Sequence, residues 1–562
     1  MTISTNRLVT LLFAAALGAA FACPASAQYD PPAGYYDAAT GTGVTLKNQL
    51  SAIMTAGHIQ QTYGAFRFAA ANYDQDPNNP SNILLVYNRA SVSSNWDSGA
   101  TWNREHVWPQ SRQPGSANNS STGNLGDPLA LRPANPSINS SRGNKPFGNF
   151  TTTGPFGSQG TFYFPGDADK GDTARNLFYS ATRYQSTGLT LVNGVPSGNQ
   201  MGDLQSLLRW HYTDPPDDFE RRRNHVIFGV THNRNAFIDR PEFVWSVFGG
   251  GANDSTLFVG GAPAGDGSSG LTIDLGPVLV GAAVPGGQSV TVNKTGADPT
   301  YYAVLVAGNA TSDVLGNFNA FDFDPQSTAI NVGLSGATTT PGLLTGTVTI
   351  DNLDVDGAAS GQGSLDGDDV VTINLAVLDH AEASFNAAVD QDTLTIDFGT
   401  VPAGSGTQNL VFTVYNLDIT PGFTAALDLD AISGSGDTAV LTTDLAPTAN
   451  LSAGTGLTFN AFFDTTSTGA FSAQYTITVS DENLSGALAG LPLTLNLTGQ
   501  ASTACDACDA DCDGFVTLAD VSFFVDMLIN GTAPCSTCAG DTNAGGSRDG
   551  ADVQSFVQCL VP

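Results

Sequence analysis

Residues 102–111 read WNREHVWPQS, and residues 131–144 read LRPANPSINSSRGN. Together they place a carboxylate (Glu105), an imidazole (His106), amide oxygens and several guanidiniums within about forty positions, the set of parts a hydrolytic site for phosphodiesters needs. Glu105 and Asn139 offer hard oxygens suited to Mg²⁺ or another divalent cation, which keeps several waters and needs few protein ligands. His106 has the titration range of a general base. Neighbours in a regular strand point to opposite faces, so Glu105 and His106 share a site only at a strand end or distortion. Pro109 ends any strand just beyond them. Pro136 suits the first turn of a helix, which puts Asn139 on that turn. The expected local order is therefore strand, loop, helix, arranged around one ion.

The surrounding composition shows where this chemistry belongs. The chain has 562 residues, 52 Asp and Glu against 20 Lys and Arg, and a net charge of −32. Taken whole, that charge argues against a nucleic-acid partner. Residues 28–250, however, hold 17 basic and 17 acidic residues, all five Trp and five of the six His. Residues 251–562 hold 35 acidic residues and only Lys294 and Arg548. Two different molecules are joined in one chain, and the chemistry is expected in the first.

Residues 1–27, with Arg7, the apolar run LVTLLFAAALGAAFA and Ala25-Ser26-Ala27, have the pattern of a signal peptide, which predicts export without a membrane span. Residues 28–250 read as α+β. One helix is expected over GDTARNLFYSATRY behind an Asp172 cap, and another begins near Asp217-Asp218. The Arg221–Arg223 run reads as a solvated helix face, and Trp102 and Trp108 as core. Residues 251–270 read as a Gly/Ser-rich linker. Beyond it, LTIDLG at 271–276 returns as LTIDFG at 394–399, and TINL at 372–375 returns as TLNL at 494–497. With period-two alternation and no helical pattern, this predicts two all-β sandwiches, 271–380 and 381–500, similar in composition to immunoglobulin-like spacer modules.

The tail, 501–562, repeats at 32 residues. Asp509, Asp511, Asp513 and Asp520 occupy positions 1, 3, 5 and 12 of a calcium-type loop; Asp541, Asn543, Asp549 and Asp552 mark a second, weaker loop. The same apolar face follows each, Val521, Phe524, Val525, Leu528 and then Val553, Phe556, Val557, Leu560. Position 12 is Asp where ordinary EF-hands have Glu. The module resembles a dockerin, which implies bound Ca²⁺ and a cohesin-like protein partner. Six cysteines fall here (505, 508, 512, 535, 538, 559), and in an exported chain they favour disulfides over zinc.

NREHVWPQS with LRPANPSINSSRGNKPFG, followed in order by Lys170-Gly171-Asp172, Asp203-Leu204, Trp210-His211, Asp214-Pro215 and Asn233 to Asp239, resembles the bacterial endonuclease I family over residues 30–250. The resemblance implies a secreted nuclease with a ββα-metal core. It also implies His106 as general base and Glu105 and Asn139 as divalent-metal ligands. Arg112 becomes the phosphate-stabilising arginine, and Arg142 either contacts phosphate or braces the helix. The implied substrates are DNA and RNA, cleaved with little sequence preference to leave 5′-phosphates. The chain departs from the family at Asp127-Pro128-Leu129-Ala130-Leu131, where Asp-Leu-His-Asn/His-Leu is usual. That departure supports a second reading, an extracellular assembly protein whose nuclease-like domain is inert.

Overall fold

The structure, a computed structural model, describes residues 28–148, 153–355, 366–502, 506–513, 515–532 and 539–561. The expected export signal lies outside them, as do Cys505, Cys535 and Cys538. The fold divides into two compact units. The first runs to Leu275 and resumes over Pro285–Ser335 and Thr345–Asn374; the second takes Gly276–Val284, Gly336–Leu344 and the chain from Leu375.

In the first unit a mainly helical body carries a small antiparallel hairpin, Asn103–His106 against Leu131–Ala134, with Glu105 opposite Arg132 and His106 opposite Leu131. The helices that pack around it include α1 (Gly43–Ile53), α2 (Phe66–Tyr73), α3 (Pro136–Arg142), α4 (Lys170–Arg183), α5 (Leu204–Thr213) and α6 (Asp218–Thr231). Every residue of α4 except Arg183 is buried, which makes it the central helix. Its N-cap is Asp169, not Asp172, and neither carboxylate caps it. Arginines compete successfully for both, the buried Arg132 and the partly exposed Arg89: Asp169 pairs with Arg89 at 2.9 Å, and Asp172 with Arg89 and Arg132 at 3.1 Å each. Helix α6 starts as expected, its Asp217 side chain accepting from Glu220 N at 2.8 Å. Arg221–Arg223 is not a solvated face. Arg221 and Arg223 are buried, and Arg223 bonds Asp74, Pro128 O and Leu131 O. Trp102 and Trp108 are fully buried.

Thr256–Val259, inside the stretch expected to be linker, is a strand paired with Gln288–Thr295. Glycine and serine content suggested a flexible tether, but Leu257 and Val259 alternate inward and give the strand a buried face. Within this unit the helical body packs on the first sandwich. Tyr212, Trp245 and Tyr301 form a buried cluster with Phe323 and Leu353 against it. The Tyr301 hydroxyl donates to His211 O at 2.7 Å, and Arg209 pairs with Asp322 at 3.3 Å.

Each sandwich has a four-stranded and a five-stranded sheet, and the strand orders of the two copies correspond one for one. The repeated sequence words are the first and last strands of the five-stranded sheet, and these are neighbours. In the second copy Thr393–Pro402 runs parallel to Leu493–Ser502, with Leu394 opposite Leu495 and Ile396 opposite Leu497. A parallel pair needs a long crossover, and here nearly the whole sandwich supplies it.

The tail holds helices Asp520–Asn530 and Asp552–Leu560, joined by stacking of Phe524 on Phe556, and a Cys508–Cys559 disulfide ties the second helix to the segment ahead of the first loop. Of the predicted helix faces, the two Phe are buried with Met527. Val521, Val525, Val553 and Val557 stay exposed, because a module this small has too little interior for all of them. Among the described residues no helix is long and apolar enough to cross a membrane.

Candidate active site

The hairpin and α3 bring the sequence-predicted residues together. Asn135, directly after the second strand, caps α3 by accepting from Ser137 N and Ile138 N, and Pro136 fills the first helical position. This strand–strand–helix order sets Asn139 beside Asn103, to which its amide donates at 2.8 Å. His106 is the last residue of its strand, and Glu105 and His106 are both buried there. The chain end of the strand resolves the facing problem of adjacent residues.

Glu105 Oε1 accepts from the Tyr87 hydroxyl at 2.6 Å and from Arg142 at 2.8 Å. Burial pushes its carboxyl above the usual range, while Arg142 opposes that shift. Tyr87 holds a left-handed backbone, φ +76°, a conformation uncommon for a bulky residue that aims its hydroxyl at Glu105. Arg142 is completely buried. It lies over the Phe147 ring and also donates to His106 O and Val107 O. The other carboxylate oxygen of Glu105 and the Asn139 side-chain oxygen accept no hydrogen bond among the described residues. Both residues line one cavity of about 500 Å³. Two uncommitted hard oxygens on a polar cavity fit a divalent cation that keeps most of its water.

His106 Nε2 lies 3.0 Å from Leu125 O. A carbonyl only accepts, so Nε2 carries the proton and Nδ1 keeps its lone pair. Burial pushes the ring's pKa down to about 4, with Arg104 and Arg142 adding to the shift, so the imidazole is neutral near pH 7. Its face stacks on Tyr63, with centroids 4.8 Å apart. Leu129 and Ala130, the apolar residues of the departing segment, are buried and are not among the residues lining the cavity. Asp127 anchors that segment through Tyr184 at 2.7 Å and Leu129 N at 2.9 Å.

Arg112 is not among the lining residues, although it lies between Ser111 and Gln113, which are. Its guanidinium donates to the backbone carbonyls of Asn144, at the cavity wall, and of Pro196 and Gln200. Three contributors went unread in the sequence: Tyr87, Tyr63 and Arg104. Arg104 alone had a signal, its position two residues before His106 on one strand.

In the tail, carboxylate oxygens of Asp509, Asp511 and Asp520 lie within 4.8 Å of one another. Among the described residues the second loop shows no such convergence. Asp520 and Asp552 nonetheless play equivalent parts, each accepting from two backbone N–H groups of its own loop. Asp513 accepts from Phe515 N, and Asp541 from Gly545 N and Gly546 N.

Residues 42–242 match the family described as Endonuclease I. The extracellular ribonuclease of Bacillus amyloliquefaciens is 40% identical over 225 residues, 37% of this chain and 76% of the relative. The extracellular ribonuclease of Bacillus subtilis (strain 168) is 39% identical over 238 residues, 40% of this chain and 80% of the relative. Among solved structures, a protein of unknown function from Porphyromonas gingivalis W83 aligns at 13% identity over 40% of this chain and 96% of its own, with a TM-score of 0.14, too low to carry an argument. With the hairpin, α3 and the polar cavity in place, the chain belongs to the endonuclease I family and is a nuclease, a hydrolase.

Proposed function

We propose that residues 28–250 are an exported, divalent-metal-dependent endonuclease that hydrolyses phosphodiesters of RNA and DNA with little sequence preference. The observation that carries this is that Glu105, Asn139 and His106 line one polar cavity together. The names of the two Bacillus relatives support export and an RNA substrate. Glu105 and Asn139 would hold the cation, Mg²⁺ or a similar ion, which supplies Lewis-acid polarisation of the phosphoryl oxygen. His106 Nδ1 takes the proton of the attacking water. The water oxygen bonds to phosphorus as the P–O3′ bond breaks, and the departing 3′-oxyanion takes a proton from solvent water, leaving a 5′-phosphate and a 3′-hydroxyl. Leu125 O holds the imidazole tautomer, and Arg142 with Tyr87 holds Glu105 in place. Arg142 is thus a positioning residue, because its guanidinium is occupied by Glu105 and two carbonyls.

The reading of an inert nuclease-like domain draws on the dockerin-like tail, the spacer sandwiches and the segment around Leu129 and Ala130; the burial of those two residues away from the cavity removes the last of these supports and leaves the other two. The two sandwiches, the first taking in Thr256–Val259 ahead of 271–380 and the second 381–500, serve in this proposal as immunoglobulin-like spacers. The tail is a dockerin-like module that binds Ca²⁺ through Asp509, Asp511, Asp513 and Asp520, more weakly through the second loop, and docks a cohesin-like partner. The full chain with Mg²⁺ should nick plasmid and degrade RNA, and chelator should stop both. His106→Ala should lower kcat about 10²- to 10⁴-fold, the usual worth of a general base. A His106→Ala protein that cleaves as fast as the parent refutes the mechanism.

A further inference from the structure

A nuclease site needs a cation facing the phosphate, and Arg112, which does not line the cavity, spends its guanidinium on three backbone carbonyls. The cations lining the cavity among the described residues are Arg104 and Arg142. Arg142 is neutralised by Glu105 at 2.8 Å. Arg104 has no carboxylate partner among the described residues. One of its terminal nitrogens donates to Tyr63 O at 2.7 Å and to Asn119 Oδ1 at 3.3 Å. Its guanidinium carbon lies 3.6 Å from the centre of the Tyr63 ring and 5.4 Å from that of Trp96. Its Nε and second terminal nitrogen donate to nothing among the described residues. The group is therefore held against an aromatic ring with donors to spare, which lowers the entropy lost when it binds a planar or tetrahedral anion. Residues two apart on a strand project to one side, about 6–7 Å apart, so Arg104 and His106 reach the same or adjacent phosphates.

We propose that Arg104, not Arg112, is the phosphate-binding arginine of this site, and that Tyr63, in contact with both the Arg104 guanidinium and the His106 ring, positions the two together. The inference deepens the nuclease reading and rests on it. A solvated surface arginine of no function is the alternative, and it predicts no dependence of binding on this side chain.

The test uses the full chain in two assays. Binding of a fluorescein-labelled single-stranded oligonucleotide is measured in chelator across a salt series, and RNA cleavage is measured with Mg²⁺. Arg104→Ala should weaken binding about tenfold or more, the usual worth of a charge-assisted hydrogen bond. It should also flatten the slope of log affinity against log salt by about 0.7, the release expected for one phosphate contact on a single strand. Arg104→Lys should restore the slope but only part of the affinity, because it keeps the charge and loses the planar fork. Arg112→Ala should retain the parent slope. Tyr63→Phe should behave as the parent, whereas Tyr63→Ala should lose both binding and kcat. Tryptophan-monitored melting of each variant separates misfolding from lost binding. If Arg104→Ala binds and cleaves as the parent does with an unchanged slope, this inference fails and the nuclease reading stands. If the parent binds with an Arg104-dependent slope yet cleaves neither RNA nor plasmid, the nuclease reading fails and the phosphate site stands.

Discussion

Replacing Arg142 by Met tests whether the site is held together from within the protein. The guanidinium is wholly buried, paired with Glu105 at 2.8 Å, bonded to His106 O and Val107 O, and laid over Phe147 at 4.4 Å. Methionine keeps most of the volume and the contact with Phe147, so the loss is mainly electrostatic. Removing one partner of a buried pair costs about 3–5 kcal/mol, because the other charge is left in a low-dielectric interior. At about 2–4 °C per kcal/mol for a body of this size, melting should fall by about 6–20 °C. All five tryptophans lie between residues 96 and 245, so tryptophan fluorescence of the full chain reports this region without interference from the sandwiches. The loss should also depend on pH. Burial raises the Glu105 carboxyl and Arg142 lowers it, so without Arg142 the folded carboxyl holds its proton to higher pH than the unfolded one. That stabilises at low pH and is lost as pH rises. The difference in melting temperature between parent and Arg142→Met should therefore be smaller at pH 5 than at pH 8. Adding Glu105→Gln should recover much of the stability, giving a favourable coupling in the double-mutant cycle. An Arg142→Met protein that melts, in chelator, within about 2 °C of the parent at both pH values refutes a buried pair worth about 3 kcal/mol, which would shift melting by more than that.

Tyr301→Ala removes a completely buried ring that packs on Tyr212 and bonds His211 O. A large-to-small change of this kind costs about 3–5 kcal/mol, so the tryptophan transition should fall even though residue 301 lies in the sandwich; an unchanged transition means that the sandwich is merely tethered. Asp369 is buried, accepts from Ser269 Oγ at 2.6 Å and is pushed up to about 7 by burial. Its folded carboxyl keeps the proton that the unfolded chain releases, so melting followed by circular dichroism should decline from about pH 4 to pH 7. That decline should be shallower in Asp369→Asn, and an identical decline sinks the assignment. For the tail, calcium titration calorimetry of the full chain should show Asp520→Ala losing at least about tenfold in affinity, with Asp552→Ala affected less. Equal titrations for parent and Asp520→Ala contradict a site at the first loop.

The parts of the fold legible in the sequence are those set by local rules. Pro136 after Asn135 starts α3 because proline suits the first turn and asparagine caps it, and the strand ending at His106 needs only the Pro109 stop to be foreseen. The repeated LTID words mark two copies of one strand because alternation with period two is a local property. What local rules leave open is which partner a charged or aromatic side chain finds. Asp172 was expected to cap α4 on position alone, yet Arg132, forty residues away, holds its carboxylate. Tyr87 reaches Glu105 through a left-handed backbone that no composition signals. Leu257-Phe258-Val259 lay in a glycine-rich stretch, and only the presence of Gln288–Thr295 beside it makes a strand.

The same reasoning explains why the phosphate-facing arginine was hidden. Residues 28–250 have equal numbers of acidic and basic residues, which reads as a neutral surface. In the folded chain the balance is largely internal: Arg132 and Arg223 meet Asp74, Arg175 meets Glu220, Arg234 meets Asp239, and Arg142 meets Glu105. Burial requires that matching, because an unpaired charge away from water is prohibitively costly. Only a half-exposed arginine can stay unmatched, so a cavity-facing guanidinium without a carboxylate partner is informative where a basic run such as Arg221–Arg223 is not. The −32 of the whole chain therefore says little about the site. One cation held on Tyr63 in the lining of the cavity says more about its substrate than the sum of the other charges.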